Sequence, residues 1–193
     1  PEEYANTPSH AMIISYKDAD DLAQKFAIDT TKIKFKGAFL LDALLAMAVE
    51  KILFDVIDYD KINAFTIEAH RQEELHDAKG RLWVNDTKAT NLDATIAALK
   101  RYEAHDMHLI LGGDDKGADM HELFEFMRGK NLKTYHIGSN KEKLSELAKE
   151  YNIEFLQCKN LLDAVAKIDT FLQNDEVALL TPAAASLDEF TSY

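Results

Sequence analysis

Lys88, Lys116 and Ser186 each stand a few residues beyond an apolar run, where extended chain gives way to a polar turn. The first run, Leu82-Trp83-Val84, changes within two residues to Asn85-Asp86-Thr87-Lys88-Ala89-Thr90-Asn91, after which Leu92, Ile96 and Leu99 recur at helical spacing. A strand that ends in Asp, Lys, Thr and Asn and feeds a helix is suited to an anion. The first helical N–H groups have no partner within the helix, and Lys88 adds a mobile charge. A capped turn with solvated polar groups has the same pattern. The second run, Leu109-Ile110-Leu111, leads to Gly112-Gly113-Asp114-Asp115-Lys116-Gly117. Paired glycines permit left-handed turns and close approach of backbone to a ligand, and the bland alternative is a tight loop with a solvated lysine. The third run, residues 177–180, is followed by Thr181-Pro182-Ala183-Ala184-Ala185-Ser186-Leu187-Asp188-Glu189-Phe190. Ser186 has neither a G-x-S-x-G elbow nor an evident His–Asp partnership, so it reads as a capping serine that can also touch a ligand.

Other chemistry is excluded or left open. None of the seven glycines builds G-x-G-x-x-G or G-x-x-x-x-G-K-[ST], so no phosphate loop is present in this sequence. The seven histidines are scattered without H-x-x-x-H spacing or a cysteine partner, and no protein-built metal site is expected. Arg71, after His70, can clamp a phosphate, stack on a base or form a surface ion pair.

The elements that must position these groups follow from periodicity. From about residue 70 the chain alternates strands at 70–75, 82–85, 108–111, 134–137, 154–156 and 177–181 with helices at 91–103, 120–128, 141–151 and 161–172. Such alternation predicts an α/β fold, a Rossmann-like open sheet that is mostly parallel with helices on both faces. Ligands of such sheets bind beyond the C-terminal strand ends, where the polar turns lie. Before residue 70 the pattern differs. It predicts a buried strand at 11–16, a short helix at 18–26 and a half-exposed strand at 33–36. A helix at 40–53, with almost no polar face, and a short helix at 59–65 follow. A domain boundary is placed between residues 69 and 70.

Composition bounds the function classes. In 193 residues, 47% are apolar and ten are Phe, enough for one large domain or two small ones. A net charge of −12 argues against a nucleic-acid binder. Lone Cys158 cannot form an intramolecular disulfide, which fits a reducing, cytoplasmic setting. No apolar run approaches the roughly 20 residues of a membrane span.

Taken together, His70-Arg71, Asn85 to Asn91, Leu111-Gly112-Gly113-Asp114-Asp115-Lys116 and Thr181 to Phe190 resemble the Mur ligases of bacterial cell-wall synthesis. The resemblance implies a monomeric, ATP-dependent, amide-forming ligase that uses Mg²⁺. Its partners are UDP-N-acetylmuramoyl-L-alanine, D-glutamate and ATP, joined through an acyl-phosphate intermediate. Residues 70–193 correspond to most of the Rossmann-like C-terminal, amino-acid-binding domain. Residues 1–69 correspond to a remnant of the central ATPase domain. On this map the chain is a fragment, inactive alone, and the Mg²⁺ ligands are expected elsewhere.

The same resemblance assigns Arg71, Asp86 and Lys88 to the nucleotide, with Lys88 also catalytic at the reacting phosphates. It assigns Thr90, Lys116, Ser186 and Tyr193 to D-glutamate. One departure falls in the earlier segment. Where the family has His-Asn-x-x-Asn-Ala at adenine, this chain reads Gly37-Ala38-Phe39-Leu40-Leu41-Asp42-Ala43, which leaves Asp42 as the polar contact.

Overall fold

The computed structural model describes residues 13–185, so the expectations at Ser186 and Tyr193 lie outside the described residues. The chain divides into two compact units after Thr66, three residues before the expected boundary.

In the first unit, α1 (Ala19–Phe26) starts at Asp18, whose carboxylate accepts the Asp21 N–H at 2.9 Å, and stops at Ala27 in the left-handed region. Then come α2 (Ala38–Phe54) and α3 (Tyr59–Ala64). Leu22, Ala23, Ile28, Ile33, Phe35, Ala43, Leu44, Met47 and Ala48 form the core.

Three expectations are corrected here. Residues 13–16 are irregular, and Ile13, Ile14 and Tyr16 are exposed rather than buried in a strand. Residues 33–36 alternate buried and exposed as a strand would, yet join no ladder. The Lys34 N–H goes instead to the Asn63 side chain at 2.9 Å, and Asn63 also donates to the Lys32 carbonyl, so one amide on α3 replaces a neighbouring strand. Finally, α2 is not buried all round. Ala43, Leu44, Met47 and Ala48 face the core, while Leu45, Val49, Ile52, Leu53 and Phe54 are exposed. Only one stripe of an apolar helix finds cover among the described residues.

The second unit is a six-stranded sheet. Its elements are β1 (Glu73–His76), β2 (Leu82–Asn85), α4 (Leu92–Arg101), β3 (Met107–Gly112), α5 (His121–Met127) and β4 (Leu132–Ile137), followed by α6 (Lys141–Glu150), β5 (Glu154–Gln157), α7 (Leu161–Phe171) and β6 (Val177–Leu180). The strand order is β1-β2-β6-β3-β4-β5. All neighbours are parallel except β1, which pairs antiparallel with β2. Strand β1 begins at Glu73, not residue 70, because His70 and Gln72 take φ of 67° and 46°, which a ladder does not admit.

Val84, Leu109, Leu111, Val177 and Leu179 face one side of the sheet and meet α4, α5 and α6. Ile110, Tyr135, Ile137 and Ala178 face the other and meet α7. The period-two alternation of these strands therefore fills two cores, as expected for helices on both faces.

One polar group is sealed inside the first of these layers. His136 of β4 is fully buried, stacked on Phe155, with Nδ1 2.9 Å from the Ser145 hydroxyl. Ser145 donates its own proton to the Lys141 carbonyl at 2.7 Å, so Nδ1 carries the imidazole hydrogen and Nε2 is left without a partner among the described residues. Burial pushes the His136 pKa down to about 4.

Candidate functional site

The C-terminal ends of β2, β6, β3 and β4 lie side by side, and their loops are stitched to one another by backbone. The Asp86 N–H meets the Leu180 carbonyl at 2.8 Å, and the Ala183 N–H meets the Ala89 carbonyl at 3.0 Å. These bonds tie the turn after β2 to the segment after β6, with Ala183 held at φ 56°. Next, the Gly112 N–H reaches the Pro182 carbonyl at 3.0 Å, and Asp114 and Ala185 exchange two N–H···O bonds at 2.8 and 3.0 Å. The loop after β3 is so joined to the same segment.

Glycine is needed at two places. Gly112 sits at φ 124°, and a Cβ there would stand 2.1 Å from the Ile137 carbonyl oxygen. At Gly113, with φ 142°, a Cβ would stand 2.3 Å from the Ala185 carbonyl oxygen. The paired glycines therefore serve close approach of loop to loop.

Within this frame the sequence-predicted groups fall as follows. Asp86 is 5% exposed and accepts the Gln72 N–H at 3.1 Å. Burial raises its pKa, against the pull of the Gln72 N–H, the Thr181 hydroxyl and the charges of Arg71 and Arg101. Asp86 thereby fastens the 70–72 turn, and with it Arg71, to the end of β2. Arg71 is exposed and pairs with Glu68 at 3.5 Å. A cleft of 460 Å³ lies beside it, lined by Arg71, Gln72, Glu74 and Arg101 among others.

Lys88 and Thr90 are exposed in the turn that precedes α4, whose N-cap Asn91 accepts the Ala94 N–H at 2.9 Å. Lys116 is exposed at φ 51°, its N–H given to the Asp114 carboxylate at 3.0 Å. Neither Lys88 nor Lys116 has an ion-pair partner among the described residues. The structure thus gathers Arg71, Asp86, Lys88, Thr90 and Lys116 at one end of the sheet. Asp42 belongs to the other unit, exposed on α2.

Sequence reasoning overlooked the loop after β4. There Asn140 accepts the Gly113 N–H at 3.0 Å and donates to Asp115 at 3.2 Å, and the Ser139 hydroxyl donates to the Gly113 carbonyl at 3.1 Å. Asp115 also accepts from Lys143 at 2.8 Å and from the Gly117 N–H at 2.9 Å. Burial would raise its pKa, but these three donors outweigh it and hold the carboxyl below the usual range. Gly138-Ser139-Asn140 also follows a strand, but that strand carries Lys133, Thr134 and His136, and an Asn ahead of a helix reads as a cap.

Residues 70–184 match the family model described as Mur ligase, glutamate ligase domain. The chain belongs to the Mur ligase family. A UDP-N-acetylmuramoylalanine–D-glutamate ligase of Campylobacter jejuni strain RM1221 is 53% identical over 193 residues, covering 100% of this chain and 48% of that protein. The namesake of Helicobacter pylori strain 26695 is 42% identical over 195 residues, covering 96% and 46%. This Mur ligase chain therefore spans about half the length of the curated relatives it matches.

Solved structures agree on the fold. Folylpolyglutamate synthase of Mycobacterium tuberculosis, complexed with ADP and AMPPCP, matches with a TM-score of 0.58 at 19% identity over 79% of this chain and 39% of that one. MurF ligase of Thermotoga maritima in complex with ADP matches at 0.52 and 21% identity, over 76% and 35%. The α/β architecture expected from sequence is shared with both of these structures.

Proposed function

We propose that the whole protein to which this chain belongs joins D-glutamate to UDP-N-acetylmuramoyl-L-alanine at the expense of ATP. The observation that carries this reading is the pair Lys88 and Lys116. They lie on loops that flank the segment after β6, without an ion-pair partner among the described residues, in a chain 53% identical over its whole length to a ligase named for that reaction. In this reading ATP transfers its terminal phosphoryl group to the alanyl carboxylate of the UDP-sugar. The D-glutamate amine then attacks the acyl carbon, and inorganic phosphate leaves as the amide forms.

Each residue has a part set by its chemistry. Arg71 and Asp86 hold the nucleotide, Asp86 by accepting hydrogen bonds and Arg71 by its planar fork. Lys88 stabilises negative charge as it develops on the reacting phosphates. Lys116 and Thr90 bind the amino acid, where a dicarboxylate calls for a cation and donors, and Ser186 and Tyr193 complete that pocket. Asp42 serves the adenine from the first unit, read as the tail of the central ATP-binding domain. In this reading the Mg²⁺ that accompanies ATP takes its protein ligands from elsewhere in the protein. No helix among the described residues is long and apolar enough to cross a membrane; this reading takes the whole protein to be a cytoplasmic monomer.

The test is kinetic, on the full-length protein. Lys116→Ala removes a charge-assisted contact, and the D-glutamate KM should rise roughly thirtyfold while the ATP KM stays within about twofold. Equal rises in both would move Lys116 out of the amino-acid pocket. Turnover with a different amino acid and none with D-glutamate would overturn the substrate assignment.

A further inference from the structure

Asn140 occupies the N-cap position of α6, where an asparagine ordinarily accepts an N–H from the first turn of its own helix. It makes no such bond. Its side chain turns across to the loop after β3, with Oδ1 accepting from Gly113 and Nδ2 donating to Asp115. One buried amide thus grips a backbone donor and a carboxylate on either side of Asp114. Asp114 in turn exchanges two hydrogen bonds with Ala185, and its carboxylate accepts the Lys116 N–H. A displacement of Asn140 must therefore be felt at Lys116 and at Ala185 together.

We propose that Asn140 is a positioning residue for the amino-acid site. Through Gly113 and Asp115 it sets where Lys116 meets the substrate. This rests on the reading that Lys116 binds the amino acid. Asn140 itself touches no substrate. At φ −97° and ψ 9° the Asn140 backbone lies outside the extended conformation from which a side chain caps its own helix, so the amide is turned to the neighbouring loop instead.

The bond between Asn140 and Asp115 has a direction, and the direction can be reversed. An aspartate at 140 keeps the acceptor for the Gly113 N–H but confronts Asp115 with like charge. An asparagine at 115 then supplies the missing donor, and total charge is conserved. In the full-length protein, Asn140→Asp should raise the D-glutamate KM about tenfold and the ATP KM by less than about twofold. The double variant Asn140→Asp with Asp115→Asn should return the D-glutamate KM to within about threefold of the parent. Asn140→Ser, which gives up no cap bond but loses both grips, should show the same selective rise even where Asn140→Asp fails to fold.

A purely structural Asn140 would lower the thermal midpoint, move all KM values together and show no recovery in the double variant. Any of these kinetic outcomes overturns the proposal. So does an unchanged D-glutamate KM in folded Asn140→Ser. If Lys116→Ala is selective for the amino acid while the Asn140 variants are not, only the positioning role falls. If Lys116→Ala is not selective, the reading beneath it falls first.

Discussion

The two ends of the parallel sheet carry similar kinds of charged groups and use them oppositely. At the N-terminal end of the strands a cavity of 740 Å³ opens between Met107, Leu132, Ile153 and Phe171. Its cations are matched within the unit, Lys130 with Glu103 at 3.7 Å and Lys133 with Glu154, and the His108 ring lies 3.1 Å from Glu176. At the C-terminal end Lys88 and Lys116 face outward with no such partner among the described residues, and the backbone loops that bear them are knotted together. The larger hollow is at the end where charge is settled. The proposed site is at the end whose loops are held together by backbone hydrogen bonds, away from that hollow.

That contrast can be attacked directly, and the heaviest blow is at the loop crossing. Gly112→Ala forces a side chain to φ 124° and against the Ile137 carbonyl. It should cost about 4 kcal/mol, from backbone strain plus overpacking. The result should appear as a lower thermal midpoint together with lost D-glutamate turnover; a neutral outcome would show that the loops do not need this approach.

His136 tests the interior between the two ends. Its folded pKa of about 4 lies below its ordinary value of 6.5, so the unfolded chain binds the proton first as pH falls. Stability is complete above pH 6.5 and declines toward pH 4, by about 3 kcal/mol over the window. His136→Phe should flatten the fall of thermal midpoint between those two pH values, because Ser145 keeps its bonds to Lys141 and Gln157. An unaltered slope would assign the acid sensitivity to other groups.

The smallest effect is expected at the settled end. Lys133→Ala removes a pair with the exposed Glu154 and a stack over Phe171, and should lower stability by about 1 kcal/mol, with every KM unmoved. A selective change in any substrate KM would mean that the N-terminal cavity takes part in the reaction.

Much of the fold is readable in the order of the residues. The alternation of apolar runs and helical repeats after residue 70 yields six strands and four helices within a few residues of their ends, because both faces of the sheet are filled by the same chain. Where cover is incomplete the pattern misleads. Helix α2 is apolar on every side, which reads as burial, yet burial depends on what is packed around it. Residues 33–36 alternate correctly but lack a strand to pair with, and alternation cannot reveal that Asn63 stands in for one. In the site, lysines at strand ends are visible as types in places. Asn140 is not, since Asn before a helix looks like a cap. Only geometry shows the side chain pointing away.

The strand order has a consequence for how the sheet is assembled during synthesis. The last of the described strands in chain order, β6, lies in the middle, between β2 and β3. Until residues 177–180 leave the ribosome, the hairpin of β1 and β2 and the trio of β3, β4 and β5 are separate pieces, each with a bare hydrogen-bonding edge. Closure awaits the very segment that also completes the loop network, so a nascent chain stalled before β6 is exposed to wrong edge pairing and aggregation. The same late insertion that finishes the fold brings the loops of the candidate site into register.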